Sequence, residues 1–194
     1  MTGRRLSVVV VILVAVALWW WWPGLSGRGG DVHVVMVAGS RLESTREPLD
    51  RRLREDGFRT AWSPSASSWC DVPALVEGTP PTRRVVVVAP DPSSDCILDD
   101  ALVEAVDRAV GADRLVIVAW PDDDSPTMAF DASLARRGAR LVETVRLLGE
   151  PGSARDCLWW DDCPAAGNIV AWDSAGLREA GAQRVARMIV AAVR

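Results

Sequence analysis

Lysine is absent from this 194-residue chain, and histidine occurs once. Without lysine there is no Ser–Lys dyad, and a Ser-His-Asp triad can draw its base only from His33. Positive charge is scarce as well. All 22 basic residues are arginines, and residues 31–194 hold 19 of them against all 26 acidic residues, a net charge of −7. An acidic body argues against nucleic acid as a partner, because phosphate backbones select basic surfaces. No CxxC pair occurs and His33 is remote in sequence from every cysteine, so a zinc site is disfavoured. No cofactor-binding motif and no internal repeat is present.

Hydrophobic residues are plentiful at 49% of the chain, enough for a full core. They begin at once. Arg4 and Arg5 precede an uncharged run from Leu6 to Trp22, broken only by Ser7. Seventeen residues is near the lower limit for a helix that crosses a bilayer. Arginines before the run predict a cytoplasmic N-terminus, and Trp19 to Trp22 suit the far interface. The rival reading is a cleaved signal peptide, with Ala15-Val16-Ala17 as the site. Cleavage there would leave an apolar LWWWW end. Both readings place residues 31–194 outside the cytoplasm, in the membrane-anchored case as part of a single-pass protein. The organisation expected is an anchor or signal segment over 1–22, a flexible linker over 23–30 (PGLSGRGG) and one domain over 31–194.

Four cysteines suit an exported chain. Cys157 and Cys163 are close in sequence and are expected to close a small loop, which leaves Cys70 to pair with Cys96. The alternative is four buried thiols.

The body alternates strand-like and helix-like stretches. Val32–Ala38, Val85–Ala89 and Leu115–Trp120 are continuous apolar runs that suit strands buried on both faces. Phe58–Trp62 and Leu141–Val145 are shorter strands, the latter expected to be the last. Leu42 to Asp56 is amphipathic and stops at Gly57; Leu98–Val110 and Met128–Arg137 are also helical in pattern. Residues 63–83 read as a long loop with at most one helical turn, and residues 149–168 as irregular. Leu177–Val193 reads as a closing helix with Leu177, Val185, Met188, Ile189 and Val193 on its apolar side. The fold class expected is α/β, a three-layer α/β/α sandwich around a mainly parallel sheet. In such sheets the ligand crevice lies outside the C-terminal strand ends. Gly39-Ser40-Arg41, Asp91 and Asp122–Asp124 should share that rim.

Ser40, at the end of VVMVAGS, has the position of a nucleophile, but His33 lies at the opposite end of the same strand, about 23 Å away at ~3.3 Å per residue. His33 therefore cannot activate Ser40, and the plainer role for Ser40 is a helix N-cap.

The order strand-Gly39-x-x-Leu42-helix, then a strand with a short polar turn at Ala89-Pro90-Asp91, then Asp173-Ser174-Ala175-Gly176-Leu177 leading into Ala180-Gly181-Ala182, resembles the SGNH (GDSL-type) hydrolases. The likeness covers residues 31–194 and implies a flavodoxin-like sheet and esterase or acyl-hydrolase ancestry. The Cys157…Cys163-Pro164 loop also resembles a disulfide loop in that group. The departures matter most. Ser40 falls where the family has aspartate, and Arg41 falls on the nucleophile. Asp91 replaces the oxyanion-hole asparagine, and a carboxylate would repel a developing oxyanion. Asp173 matches the family aspartate, but Gly176 replaces the histidine. The resemblance thus implies a retained fold whose catalytic positions (Gly39, Ser40, Arg41, Ala89, Asp91, Asp173, Gly176) are degenerate. With the N-terminal helix as the tie to the membrane, the expected role is binding an envelope ligand or protein partner, or scaffolding; the alternative is an active esterase or acyl-hydrolase of unconventional arrangement. Arg41 is expected to pair with Asp173 or Asp91, or to hold an anionic ligand.

Three further features carry two readings each. Asp122-Asp123-Asp124 and Asp161-Asp162 can bind a hard cation or simply face water, and water is the first reading. Trp159-Trp160 and Trp69 can stack on a sugar or touch a membrane surface, or cover the core under a loop.

Overall fold

A computed structural model describes residues 30–36, 40–64, 66–80, 83–88, 96–120, 125–159, 161, 167–173 and 176–194, without the side chains of 40–44, 145 and 146. Among the described residues no helix is long and apolar enough to cross a membrane. The run Leu6–Trp22 and the linker up to residue 29 lie outside them.

Five strands make one parallel sheet: β1 (Asp31–Met36), β2 (Arg59–Trp62), β3 (Arg84–Val88), β4 (Leu115–Ala119) and β5 (Arg140–Glu143). Their order is β2-β1-β3-β4-β5, with every neighbouring pair parallel. This is the second common order of doubly wound sheets. The valine runs explain it. In β3 the residues Val85 to Val88 are all buried, which only a central strand covered on both faces allows.

Alternation then sorts the side chains to two cores. Val34, Val86, Val88, Val116 and Val118 face the helices α1 (Ser40–Glu55) and α6 (Glu179–Val193). Val35, Val85, Val87, Leu115 and Ile117 face the short α2 (Val72–Val76), α3 (Asp100–Val110) and α4 (Ser125–Arg136). The sandwich thus has helices on both sides, as the alternation of the sequence predicts. Leu49 and Leu53 of α1 are buried, each contributing about 2 kcal/mol. On the α1 face, Asp50 Oδ1 accepts hydrogen bonds from Thr60 Oγ1 at 2.7 Å and Trp62 Nε1 at 3.3 Å, which fixes the helix on the edge strand β2.

Residues 63–83 are more ordered than a loop with one turn. A 3-10 turn over Trp69–Asp71 runs directly into α2. Ser68 caps it by accepting from Cys70 N, while Asp71 Oδ2 accepts from Ser68 N at 3.1 Å, a capping box. Trp69 is 1% exposed and meets Phe130 edge-on at 5.0 Å between ring centroids, so its place is in the core and not on a sugar or a membrane. Cys70 and Cys96 form a disulfide that ties this turn to the segment entering α3. Closing a loop across 26 positions reduces the freedom of the unfolded chain by about 3 kcal/mol in the chain-entropy view. Cys157 is also disulfide-bonded; Cys163, its expected partner, lies outside the described residues.

After β5 the expectation of no further strand and an irregular stretch is overturned. The short α5 (Val145–Leu148) leads to two antiparallel ribbons: β6 (Ala154–Asp156) with β7 (Asn168–Val170), and β8 (Trp172–Asp173) with β9 (Gly176–Leu177). Leu177 belongs to β9, so the closing helix starts two residues later than its pattern suggests, although Leu177 still packs in the core with Val185, Ile189 and Val193.

Gly181 in the Ala-Gly-Ala stretch has a physical reason. A Cβ there would come within 2.0 Å of the Ala171 carbonyl oxygen. The missing side chain lets α6 press against the backbone that joins the two ribbons. Gly181→Ala gains about 1 kcal/mol of helix propensity but must separate two backbones. We expect a net loss of about 1–3 kcal/mol, read by urea unfolding; unchanged or raised stability would show that this contact is not required.

Candidate functional site

Parallel register brings three strand ends to one rim. Met36 of β1 lies beside Val88 of β3, and Val88 beside Val118 of β4. The segments after these strand ends are where the sequence places Gly39, Ala89, Asp91 and Asp122–Asp124, all outside the described residues. Ser40 and Arg41 open α1, so the chain does pass from strand to helix at this point. Ser40 is counted as the first helical residue and not as the cap, a difference of one position that helix ends routinely show.

Asp173 and Gly176 face each other across the β8–β9 ribbon, and β9 packs against α1. Asp173 and Gly176, two of the positions singled out in the sequence, are therefore side by side close to the helix that Ser40 opens. The Asp173 carboxylate accepts from Arg178, with Nε at 2.8 Å and Nη2 at 2.5 Å from the same Oδ2. The cation that the sequence assigns to it is Arg41, whose side chain is outside the described residues; Arg178, five residues along, is a partner that i-to-i+5 spacing across a strand end conceals.

His33 is engaged elsewhere. Nε2 is 2.5 Å from Ser63 Oγ, and Nδ1 is 3.0 Å from Thr79 Oγ1. Burial, reinforced by the nearby charge of Arg83, holds its pKa below the ordinary imidazole value. The neutral ring is thus favoured, and it links β1 to the ends of β2 and α2. Nothing in the sequence pattern announces the Ser63–His33 contact: the two are 30 residues apart and meet only through the β1–β2 register, in which Val34 lies beside Trp62.

A buried polar arrangement centres on Arg184 of α6. Arg184 is 2% exposed and the carboxylate it pairs with, Asp161, is fully buried. Arg184 Nη2 is 2.5 Å from Asp161 Oδ2, and Nε lies 3.2 Å from the same oxygen. Nη1 donates to Leu147 O and Nη2 to Asp156 O, both at 2.8 Å. Asp161 also accepts from Leu158 N at 2.7 Å. Burial raises the Asp161 pKa, but the Arg184 hydrogen bonds, the Leu158 amide and the charges of Arg184 and Arg187 outweigh it, so the carboxyl titrates below its ordinary range. Both readings of Asp161 made from the sequence, solvated turn and cation ligand, are therefore wrong. Among the described residues no cluster of His, Cys, Asp and Glu could hold a metal ion. Trp159 is 88% exposed, unlike Trp69, and Trp160 lies outside the described residues.

Comparison with protein-family models finds no match, and no curated protein matches the sequence.

Asp161→Asn keeps the shape but leaves the Arg184 charge buried and unneutralised. A loss of about 3–5 kcal/mol is expected in chemical unfolding. The lowered pKa also sets a pH dependence. The pair's contribution is complete above about pH 4, the unfolded aspartate value, and is lost as pH falls through the lower folded value. The wild-type protein should lose stability over that acid window while Asp161→Asn shows a flatter profile. Parallel profiles would remove Asp161 from the account of acid sensitivity.

Proposed function

We propose that residues 31–194 form an SGNH-hydrolase-like domain without conventional hydrolase activity, held outside the cytoplasm by the N-terminal apolar run, and that it serves as a binding or scaffolding component of the cell envelope. The observation that carries the inactive reading is the placement of the sole histidine. His33 bonds to Ser63 and Thr79, while the position three residues after Asp173 is Gly176, inside a hairpin. The strand order, the helix opening at Ser40 and the Asp173–Gly176 hairpin running into the closing helix support the family reading. The Cys70–Cys96 disulfide supports an oxidising compartment.

One observation favours a second reading, an active esterase of unconventional arrangement. Ser63 Oγ and His33 Nε2 have the separation of a nucleophile and its base. Against it, the other ring nitrogen meets a threonine hydroxyl in place of a carboxylate, so the imidazolium formed during acylation would lack its usual stabilising anion.

An assay of the full chain with p-nitrophenyl acetate separates these readings. The expected result is turnover no greater than that of a heat-unfolded control. Turnover abolished by Ser40→Ala would restore the rim as an active site. Turnover abolished by Ser63→Ala and retained in Ser40→Ala would establish the second reading.

A further inference from the structure

Two arginines of α1 lie beside a cleft without an ion-pair partner among the described residues. A cleft of about 540 Å³ opens between α1, β7 and the first turns of α6. Volumes of this size hold small organic molecules. Five charged residues line it, and three of them are already engaged or acidic. Asp161 is paired with Arg184, Arg178 with Asp173, and Glu179 is the remaining carboxylate. Arg51 and Arg52 are left, and among the described residues neither has a carboxylate within 4.0 Å.

Arg52 is in an electrostatically poor position. Its Nη2 donates to Gln183 Oε1 at 3.2 Å, and its buried Nε has no acceptor among the described residues. Burial disfavours its charge, and Arg187 and Arg51 add repulsion that Glu55 and Asp56 only partly offset. A half-buried guanidinium with donors to spare and like charges beside it is relieved by an anion. The rest of the cleft suits a larger body than a bare ion. Asn168 and Gln183 offer amides, and the β7 residues Ile169 and Val170 also line it, Val170 being 38% exposed. The whole domain is acidic, so a local surplus of arginine in a cleft stands against its surroundings.

We propose that this cleft binds an anionic group, phosphate or carboxylate, carried on a small polar molecule such as a sugar. Arg51 and Arg52 hold the anion, and Asn168 and Gln183 contact the body. The inference uses no rim position and reads binding in place of hydrolysis, so it stands or fails apart from the SGNH reading.

The test titrates the full chain, in non-ionic detergent micelles, with glucose 6-phosphate, glucuronate and glucose, followed by calorimetry and by NMR of the arginine Nε–Hε groups. Saturable binding of glucose 6-phosphate or glucuronate is expected, with glucose inert; which of the two binds distinguishes phosphate from carboxylate. Arg51→Gln and Arg52→Gln should each weaken binding about 10-fold or more, while Arg108→Gln, on the opposite face of the sheet, should leave it unchanged. If Arg52→Gln does not fold, Arg51→Gln decides, because its side chain is exposed. Absence of binding for both anions at ~10 mM, or binding indifferent to both arginine substitutions, overturns the proposal.

Discussion

The buried Arg184 guanidinium is the constraint on which the second half of the molecule depends. It projects from α6 and holds three separate pieces of chain: the Leu147 carbonyl in α5, the Asp156 carbonyl at the end of β6, and the Asp161 carboxylate beyond it. Those pieces are too short to hold themselves. A three-residue ribbon such as β6–β7 is far below the size at which strands are stable alone. The cost of burying the cation is offset only if each contact is made. The guanidinium therefore acts as a condition: the 147–161 segment either takes this path or leaves a charge unsolvated. The hydrophobic core does not impose that path, since α5 and the ribbons contribute only Leu148, Ala171, Trp172 and Leu177 to it.

This division accounts for what the sequence could be read for. The described elements from β1 to α4, and the closing α6, are organised by burial with a regular period, so β1, α1, β3, α3, β4, α4 and α6 are legible from valine runs and amphipathic spacing alone. The stretch from α5 to β9 is organised by directional polar contacts, which leave no period. Asp161-Asp162 looks like a solvated pair because nothing nearby in sequence announces Arg184, 23 residues away. The ribbons are two and three residues long, shorter than any window in which alternation can be seen, and Gly149, Gly152 and Gly167 with positive φ mark their turns without giving their pairing. One signal was in plain view and went unread. Ser68-x-x-Asp71 is a capping box, and it announces the helical turn that places Trp69 in the core.

The candidate rim shows the same split. Its scaffold was legible: three strand ends in register and a helix that opens at Ser40. The Arg178 partner of Asp173 was not, because it depends on where the polar-organised half of the chain docks; the pairing expected of Arg41 lies outside the described residues. Asp173 belongs to the β8–β9 ribbon, and Arg178 reaches it from the turn into α6. Arg178 lies only five residues beyond Asp173, so an adjacent guanidinium gives this carboxylate its positive partner at little entropic cost.

The absence of lysine then has a structural meaning. The described arginines are used repeatedly as clamps on main-chain carbonyls: Arg84 on Asp113, Arg114 on Pro80 and Arg83, Arg140 on Ala192, and Arg184 on Leu147 and Asp156. Each contact joins segments at least 28 residues apart. An ammonium can approach one such carbonyl as a point charge, but it cannot spread planar donors over two carbonyls and a carboxylate as Arg184 does. A chain whose loops are fastened by forked donors gains nothing from lysine at those positions. The same preference leaves surplus guanidinium groups on α1, where Arg51 and Arg52 have no carboxylate within ion-pair distance among the described residues and a cleft beside them.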